Sequence, residues 1–301
     1  RFCCTYYLNV AGYFSVLRPI QIKRNMTPKI FIQAVRAPFF TGVVIPTILG
    51  AVIAWNQGYE FHWGYFLLTL IGIMSIHGGA NTINDYFDHK SSNDDLNQDF
   101  IAPFTGGSRV IQQYGISAKS MLTLSLALYG IGIVIGLYLA FTRGLPILWL
   151  GMIGVAIGVT YVMPGVNLIS RGFGEVGIFV AFGLLCVAGS YYVQAQAFHP
   201  EPLLLSIPVG LLITAVLWIN QFPDFAADRR VGKDNLVIRL GKKTSARVYF
   251  IMMAATYIAV VLLAAAYNIW LLLGLLTLPI AYRISRNALI NYGNTGALLP
   301  S

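Results

Sequence analysis

Charge is scarce in this chain of 301 residues: Lys and Arg number 20, Asp and Glu 11, and together they make up 10% of it. Soluble domains carry about a quarter charged residues, so a fold surrounded by water is excluded. Hydrophobic residues at 57% exclude intrinsic disorder as well. Three cysteines, Cys3, Cys4 and Cys186, are too few for a disulfide framework. No two of the four histidines stand at ligand spacing, which leaves a His-based zinc site unsupported. His77, flanked by apolar residues, is expected to be a hydrogen-bonded core residue.

What the chain has instead is long uncharged runs. Phe39 to Trp55, Phe61 to Asn84, Ser120 to Thr142, Gly144 to Ser170, Val176 to Ala197 and Pro202 to Pro223 contain no Lys, Arg, Asp or Glu. Each approaches or exceeds the ~20 residues that carry a helix across a bilayer. Val248 to Tyr282 is also uncharged, and as one helix it would be about 52 Å long, against a hydrocarbon core of about 30 Å. It must fold back, with Tyr267-Asn268 as the expected hairpin. The sequence therefore predicts an all-α polytopic membrane bundle of eight spans. Gly151, Gly154 and Gly158 in the fourth run have the small-xxx-small spacing that lets helices pack closely in lipid.

With eight spans, 19 of the 20 Lys and Arg fall on the side of the termini and only Arg143 on the other. The positive-inside rule then places both termini and the acidic loops in the cytoplasm, in the cell membrane. The basic residues are spread over five segments with no motif among them, so nucleic-acid binding is not expected. Residues 1–29 are expected to be either an interfacial segment or an extension ahead of a start at Met26, and 30–301 a single transmembrane domain.

The acids carry the functional signal. Asp85, Asp88, Asp94, Asp95, Asp99, Asp224, Asp228 and Asp234 sit in two segments, each at the cytoplasmic end of a span; only Glu60, Glu175 and Glu201 lie elsewhere. Helical spacing puts Asn81, Asn84, Asp85 and Asp88 on one face of span two, and Asn220, Asp224 and Asp228 on one face of span six. Two carboxylate faces at membrane depth require a cation between them. Oxygen ligands in this number suit a hard divalent ion such as Mg²⁺, which takes one or two carboxylates plus phosphates and water. Solvated loop acids paired with Lys90, Arg229 and Arg230 are the plainer reading. A cation-coupled secondary transporter is the competing class, disfavoured because a carrier holds its site near the midplane and these acids sit at one face.

Asn84-Asp85-x-x-Asp88-x5-Asp94, then Pro103-Phe-Thr-Gly-Gly-Ser-Arg109, then Asn220-Gln-Phe-Pro-Asp224-Phe-Ala-Ala-Asp228-Arg-Arg-Val-Gly-Lys233, resembles the UbiA superfamily of intramembrane prenyltransferases. The likeness runs from about Ile30 to the C-terminus and is nearest the menaquinone-type branch, whose acceptor is 1,4-dihydroxy-2-naphthoate. The 4-hydroxybenzoate branch has an acid where this chain has Ser92. The resemblance implies a prenyl diphosphate donor and an aromatic acceptor, in a membrane protein of usually nine spans. It implies two Mg²⁺ ions bridged by the diphosphate, with Asp85, Asp88, Asp224 and Asp228 as catalytic metal ligands. Asp94 is a fifth ligand, with Asp95 beside it as a rival. Asn81, Asn84 and Asn220 are implied substrate residues, and Arg109 and Lys233 diphosphate contacts. Arg36 is a candidate for the acceptor carboxylate, Tyr161 and Tyr191-Tyr192 for a cation-stabilising wall, and Glu175 for a polar site residue. The loops 88–119 and 224–247 are expected to cap the site. A glycerol-lipid or haem acceptor stays open.

Overall fold

The computed structural model describes residues 25–97, 100 and 104–298, so the expectation for the N-terminal stretch lies almost wholly outside the described residues. The elements are helices throughout: α1 (Pro28–Ala34), α2 (Thr41–Asn56), α3 (Trp63–Lys90), α4 (Asn93–Leu96), α5 (Val110–Tyr114), α6 (Ala118–Arg143), α7 (Pro146–Thr160), α8 (Gly174–Ala195), α9 (Pro200–Arg230), α10 (Leu236–Ala266) and α11 (Ile269–Asn291). A short 3₁₀ turn, Ala37–Phe40, leads into α2, and a π-helical stretch, Phe179–Leu185, lies inside α8.

Among the described residues, seven helices are long and apolar enough to cross a membrane: α2 with its 3₁₀ lead-in, α3, α6, α8, α9, α10 and α11. The uncharged run from Val248 does fold back at Tyr267-Asn268, where the Asn268 side chain caps the next helix by accepting from Trp270 N at 3.0 Å. The fourth run differs from expectation. Its helix α7 has 15 residues, or about 22 Å, and the chain then turns back through Pro164 and Gly165 to the 3₁₀ turn Ile169–Arg171. Proline cannot continue the hydrogen-bond ladder, and Gly165 at φ 91° takes a backbone that other residues resist.

Close helix contacts rest on glycine, though of the three singled out in the sequence only Gly158 is at one. A Cβ at Gly132 of α6 would stand 2.5 Å from Ile76 of α3, and one at Gly50 of α2 would stand 2.3 Å from the carbonyl of Val187 in α8. Those pairs can approach only without side chains. Gly151, Gly154 and Gly158 all line a cavity, and Gly151 and Gly154 leave it room: a Cβ at Gly151 meets nothing within 4 Å, and one at Gly154 meets only Leu185 at 3.9 Å. Gly158 also permits a close approach as expected, since a Cβ there would stand 2.8 Å from the Tyr129 hydroxyl of α6. Outward-facing Phe141, Trp270 and Leu276 are over 70% exposed, which suits a surface solvated by lipid tails.

Candidate active site

The C-terminal ends of α3 and α9 converge, and the acid faces meet. Asn81, Asn84 and Asp88 of α3 and Asn220, Asp224 and Asp228 of α9 all line one cavity of about 600 Å³. Its floor is apolar, with Ile135, Leu139, Leu150, Leu185 and Leu212 among the lining side chains, so a polar head opens onto a greasy tail.

Lys233, in the turn after α9, supplies the charge that the two faces require. Its Nζ lies 2.5 Å from Asp88 Oδ1 and 3.9 Å from Asp228 Oδ1. Burial disfavours its ammonium, but Asp88 and Asp228 outweigh that and raise its pKa, so it stays protonated. Asp228 is otherwise held by amides: Oδ1 accepts from Asn93 Nδ2 at 2.9 Å and Oδ2 from Asn235 Nδ2 at 3.1 Å. The same Asn235 caps α10, accepting from Ile238 N at 2.9 Å. Asp224 accepts from Asn97 Nδ2 at 2.6 Å and from Gly106 N at 3.4 Å. The segment between α3 and α6 is thereby laced onto α9.

Several expected residues stand elsewhere than the sequence suggested. Asp85 is only 2% exposed and does not line the cavity; it pairs with Arg36 and accepts from Ser108 N at 3.3 Å through both oxygens. Arg36 does line the cavity, yet it is no free cation, because Asp85 holds its Nη2. That charge raises its pKa despite burial. Arg109, expected at the diphosphate, is turned into its own loop. Its guanidinium donates to the carbonyls of Asp94 and Asn97, the latter at 2.8 Å, and lies over the Phe100 ring at 3.9 Å. A fork of five N–H donors suits several carbonyls at once, so Arg109 shapes the loop rather than meeting the cavity. Tyr161 lines the cavity as expected, whereas Tyr191 packs between α2 and α8 and donates to Gln57 Oε1 at 2.5 Å.

Of the neighbours Asp94 and Asp95, the former faces the site. Asp95 is exposed and accepts from Gln112 Nε2 at 3.2 Å. Asp94 is 3% exposed and lies against Gly107, where a Cβ would come within 2.8 Å of Oδ2. Burial, then the charges of Asp88 and Asp85, push its pKa well above the carboxylate range. A carboxyl that binds its proton more tightly folded than unfolded stabilises the fold below about pH 4 and loses that contribution as pH rises through the folded value. Asp94→Asn is therefore expected to raise the melting temperature of the metal-free protein at pH 7 and to leave it unchanged near pH 4. Thermal unfolding in detergent reads this; a variant less stable at pH 7 would refute it.

The residues missed in the sequence are mostly amides. Asn93, Asn97 and Asn235 touch the acids only because their loops fold over α9, and nothing in helical spacing announces that. Glu175 is a buried junction: Oε1 accepts from Gln221 Nε2 at 2.9 Å and from Leu236 N at 3.3 Å, joining α8, α9 and α10. Among the described residues, no three His, Cys, Asp or Glu side chains already form a group that could hold a metal. The carboxylates are disposed instead in two opposed sets bridged by an ammonium.

The family model for the UbiA prenyltransferase family matches residues 43–296, which include both acid faces. The chain belongs to the UbiA prenyltransferase family. Among the relatives of this UbiA protein, the 1,4-dihydroxy-2-naphthoate octaprenyltransferase of Escherichia coli (strain K12) is 31% identical over 243 residues, covering 79% of this chain and 78% of that one. The 1,4-dihydroxy-2-naphthoate octaprenyltransferase of Bacillus subtilis (strain 168) is 28% identical over 249 residues, covering 82% and 78%. A UbiA homologue from Archaeoglobus fulgidus, solved bound to GPP and Mg²⁺, superposes with a TM-score of 0.63 at 14% identity, covering 89% of this chain and 96% of that one; the likeness is one of fold. This UbiA protein is thus a multi-pass membrane prenyltransferase.

Proposed function

We propose that this UbiA enzyme transfers a prenyl group from a prenyl diphosphate to 1,4-dihydroxy-2-naphthoate, with Mg²⁺ held between its two acid faces. The observation that carries the reading is the meeting of those faces across Lys233, at the polar mouth of an otherwise apolar cavity. Diphosphate charge fits the mouth and an isoprenoid tail fits the floor. The acceptor is argued from the naphthoate octaprenyltransferase relatives.

The donor set fits magnesium. Its oxygens come in two sets, Asp88 and Asp94 on one side and Asp224 and Asp228 on the other, with Asp85 behind the first. Asn93 Oδ1 and Gln221 Oε1 are buried and have no hydrogen-bond partner among the described residues, two further neutral oxygens beside the acids. Incomplete sets of one or two carboxylates suit an ion that keeps water and takes substrate phosphate, and two sets suit two ions. Bound there, Mg²⁺ supplies charge stabilisation to the departing diphosphate.

The chain's own groups do the rest. Lys233 meets the phosphate oxygens as a fixed cation, while the rings of Phe39, Phe104 and Tyr161 line the wall beside the carbon that becomes cationic. Of the expected cap, 224–230 and 236–247 are helix, so the cover comes from the described residues between α3 and α6 and from the short turn between α9 and α10, tied to the acids of α9 through Asn93, Asn97 and Asn235, and it serves to keep water from the site. The Lys and Arg distribution supports a cytoplasmic placement of this face.

Purified protein is assayed with prenyl diphosphate and Mg²⁺ against the naphthoate, 4-hydroxybenzoate, a glycerol-lipid acceptor and haem. Prenylated, decarboxylated naphthoate is the expected product. Turnover of another acceptor with none of the naphthoate would move the enzyme to a different branch. Under the same conditions, donor plus Mg²⁺ is expected to slow proteolysis in both loops; equal cleavage with and without them would refute the cap.

A further inference from the structure

One polar side chain on the cavity wall takes no part in the arrangement above. His77 lies mid-way along α3, one turn before Asn81, and lines the same cavity. It is 8% exposed, and its Nδ1 is buried without a hydrogen-bond partner among the described residues, contrary to the bonded core histidine that the sequence suggested. Its ring meets Phe182 edge-on at 4.9 Å between centroids and Phe40 at 5.5 Å. Leaving a buried polar nitrogen unpaired is costly, and these phenyl walls offer it nothing. The cavity that the ring lines is the side open to a partner.

The position of Arg36 says what kind of partner. Eight residues of helix, about 12 Å, separate His77 from Asp85, and Asp85 holds Arg36. Arg36 lines the same cavity as His77, and its Nε has no hydrogen-bond partner among the described residues. The cavity wall thus includes a guanidinium and, about two helical turns farther along α3, an imidazole. A hydroxylated aromatic acid with a ring hydroxyl remote from its carboxylate bridges such a pair.

We infer that His77 is the hydrogen-bond contact for that remote ring hydroxyl, with Arg36 at the carboxylate end; the inference rests on the proposed aromatic-acid acceptor. A neutral imidazole accepts the hydroxyl's O–H bond, which draws electron density into the ring as it attacks the prenyl carbon. It also sets selectivity, because a ring lacking the hydroxyl leaves the buried nitrogen unpaired.

The test compares wild type with His77→Phe, His77→Leu and His77→Gln, the second covering failure of the first to fold. Three quantities are measured: KM for 1,4-dihydroxy-2-naphthoate, Ki for 1-hydroxy-2-naphthoate, which lacks the remote hydroxyl, and KM for the prenyl diphosphate. Phe and Leu are expected to raise the first about tenfold and leave the other two unchanged, with Gln restoring most of the loss. Equal weakening of both naphthoates, or of donor and acceptor alike, would make His77 a packing residue and overturn the inference alone. Unchanged constants in all variants would do the same. Wild-type protein that neither binds nor prenylates the naphthoate would overturn the acceptor reading and this inference together.

Discussion

Asp88→Asn is expected to lower turnover by at least about a thousandfold in a protein that still folds, with a lowered melting temperature. The asparagine is close in size and keeps an oxygen toward Lys233, so the backbone around it is retained, but the buried ion pair with that ammonium is lost and stability falls with it. What is lost is an anionic oxygen from one of the two acid sets. In a site whose parts act together, removing one such group removes about 4 kcal/mol of transition-state stabilisation, which is the thousandfold. Asp228→Asn should be as inactive but less well folded. Asp228 accepts from the amides of both Asn93 and Asn235, and Asn235 cannot turn to suit because its own Oδ1 caps α10. The measurements are steady-state turnover and thermal unfolding in detergent. Activity of Asp88→Asn within tenfold of wild type, or wild-type activity undiminished by EDTA, would return these acids to ion pairs of no catalytic account.

The second large effect is expected at Lys233, where loss of the ammonium acts on both stability and catalysis. In the protein without ligands, Lys233→Met leaves Asp88 and Asp228 facing each other with no cation between them. Breaking a buried pair from one side costs about 3–5 kcal/mol, so the melting temperature should fall. Mg²⁺ with a prenyl diphosphate binds only the folded state, and should restore much of the difference. Turnover should still fall by about 10²–10³, with the donor KM raised, because a fixed charge at the developing diphosphate is gone. An unchanged donor KM together with an unchanged ligand-free melting temperature would show that the ammonium is incidental.

Both effects depend on a contact that no sequence pattern contains. Lys233 is five residues after Asp228, but 145 after Asp88, and only the packing of α3 beside α9 joins the three. Loop residues behave alike: Asn97 reaches Asp224, and Arg109 folds back onto Asp94 and Asn97, because the segment after α3 lies over α9. Helical spacing says which side chains share a face. It says nothing of what the face meets, which is why Asp85 was grouped with Asp88 and turned out to pair with Arg36 outside the cavity.

The sequence by itself determined the membrane class, the helical architecture, the hairpin at Tyr267-Asn268 and the two acid faces, since each depends on short stretches of chain. A bilayer excludes charge residue by residue, and an α-helix repeats every 3.6 residues wherever it forms. Only the tertiary structure decided that α7 is short, that Gly151 and Gly154 open a cavity instead of closing a helix pair, and that His77 Nδ1 has no hydrogen-bond partner among the described residues. It also decided that Asp94 rather than Asp95 faces the acids, and that Lys233 rather than Arg109 stands between them. Each of these is a relation between segments distant in sequence, and its energy exists only once packing has brought the partners within a few ångströms.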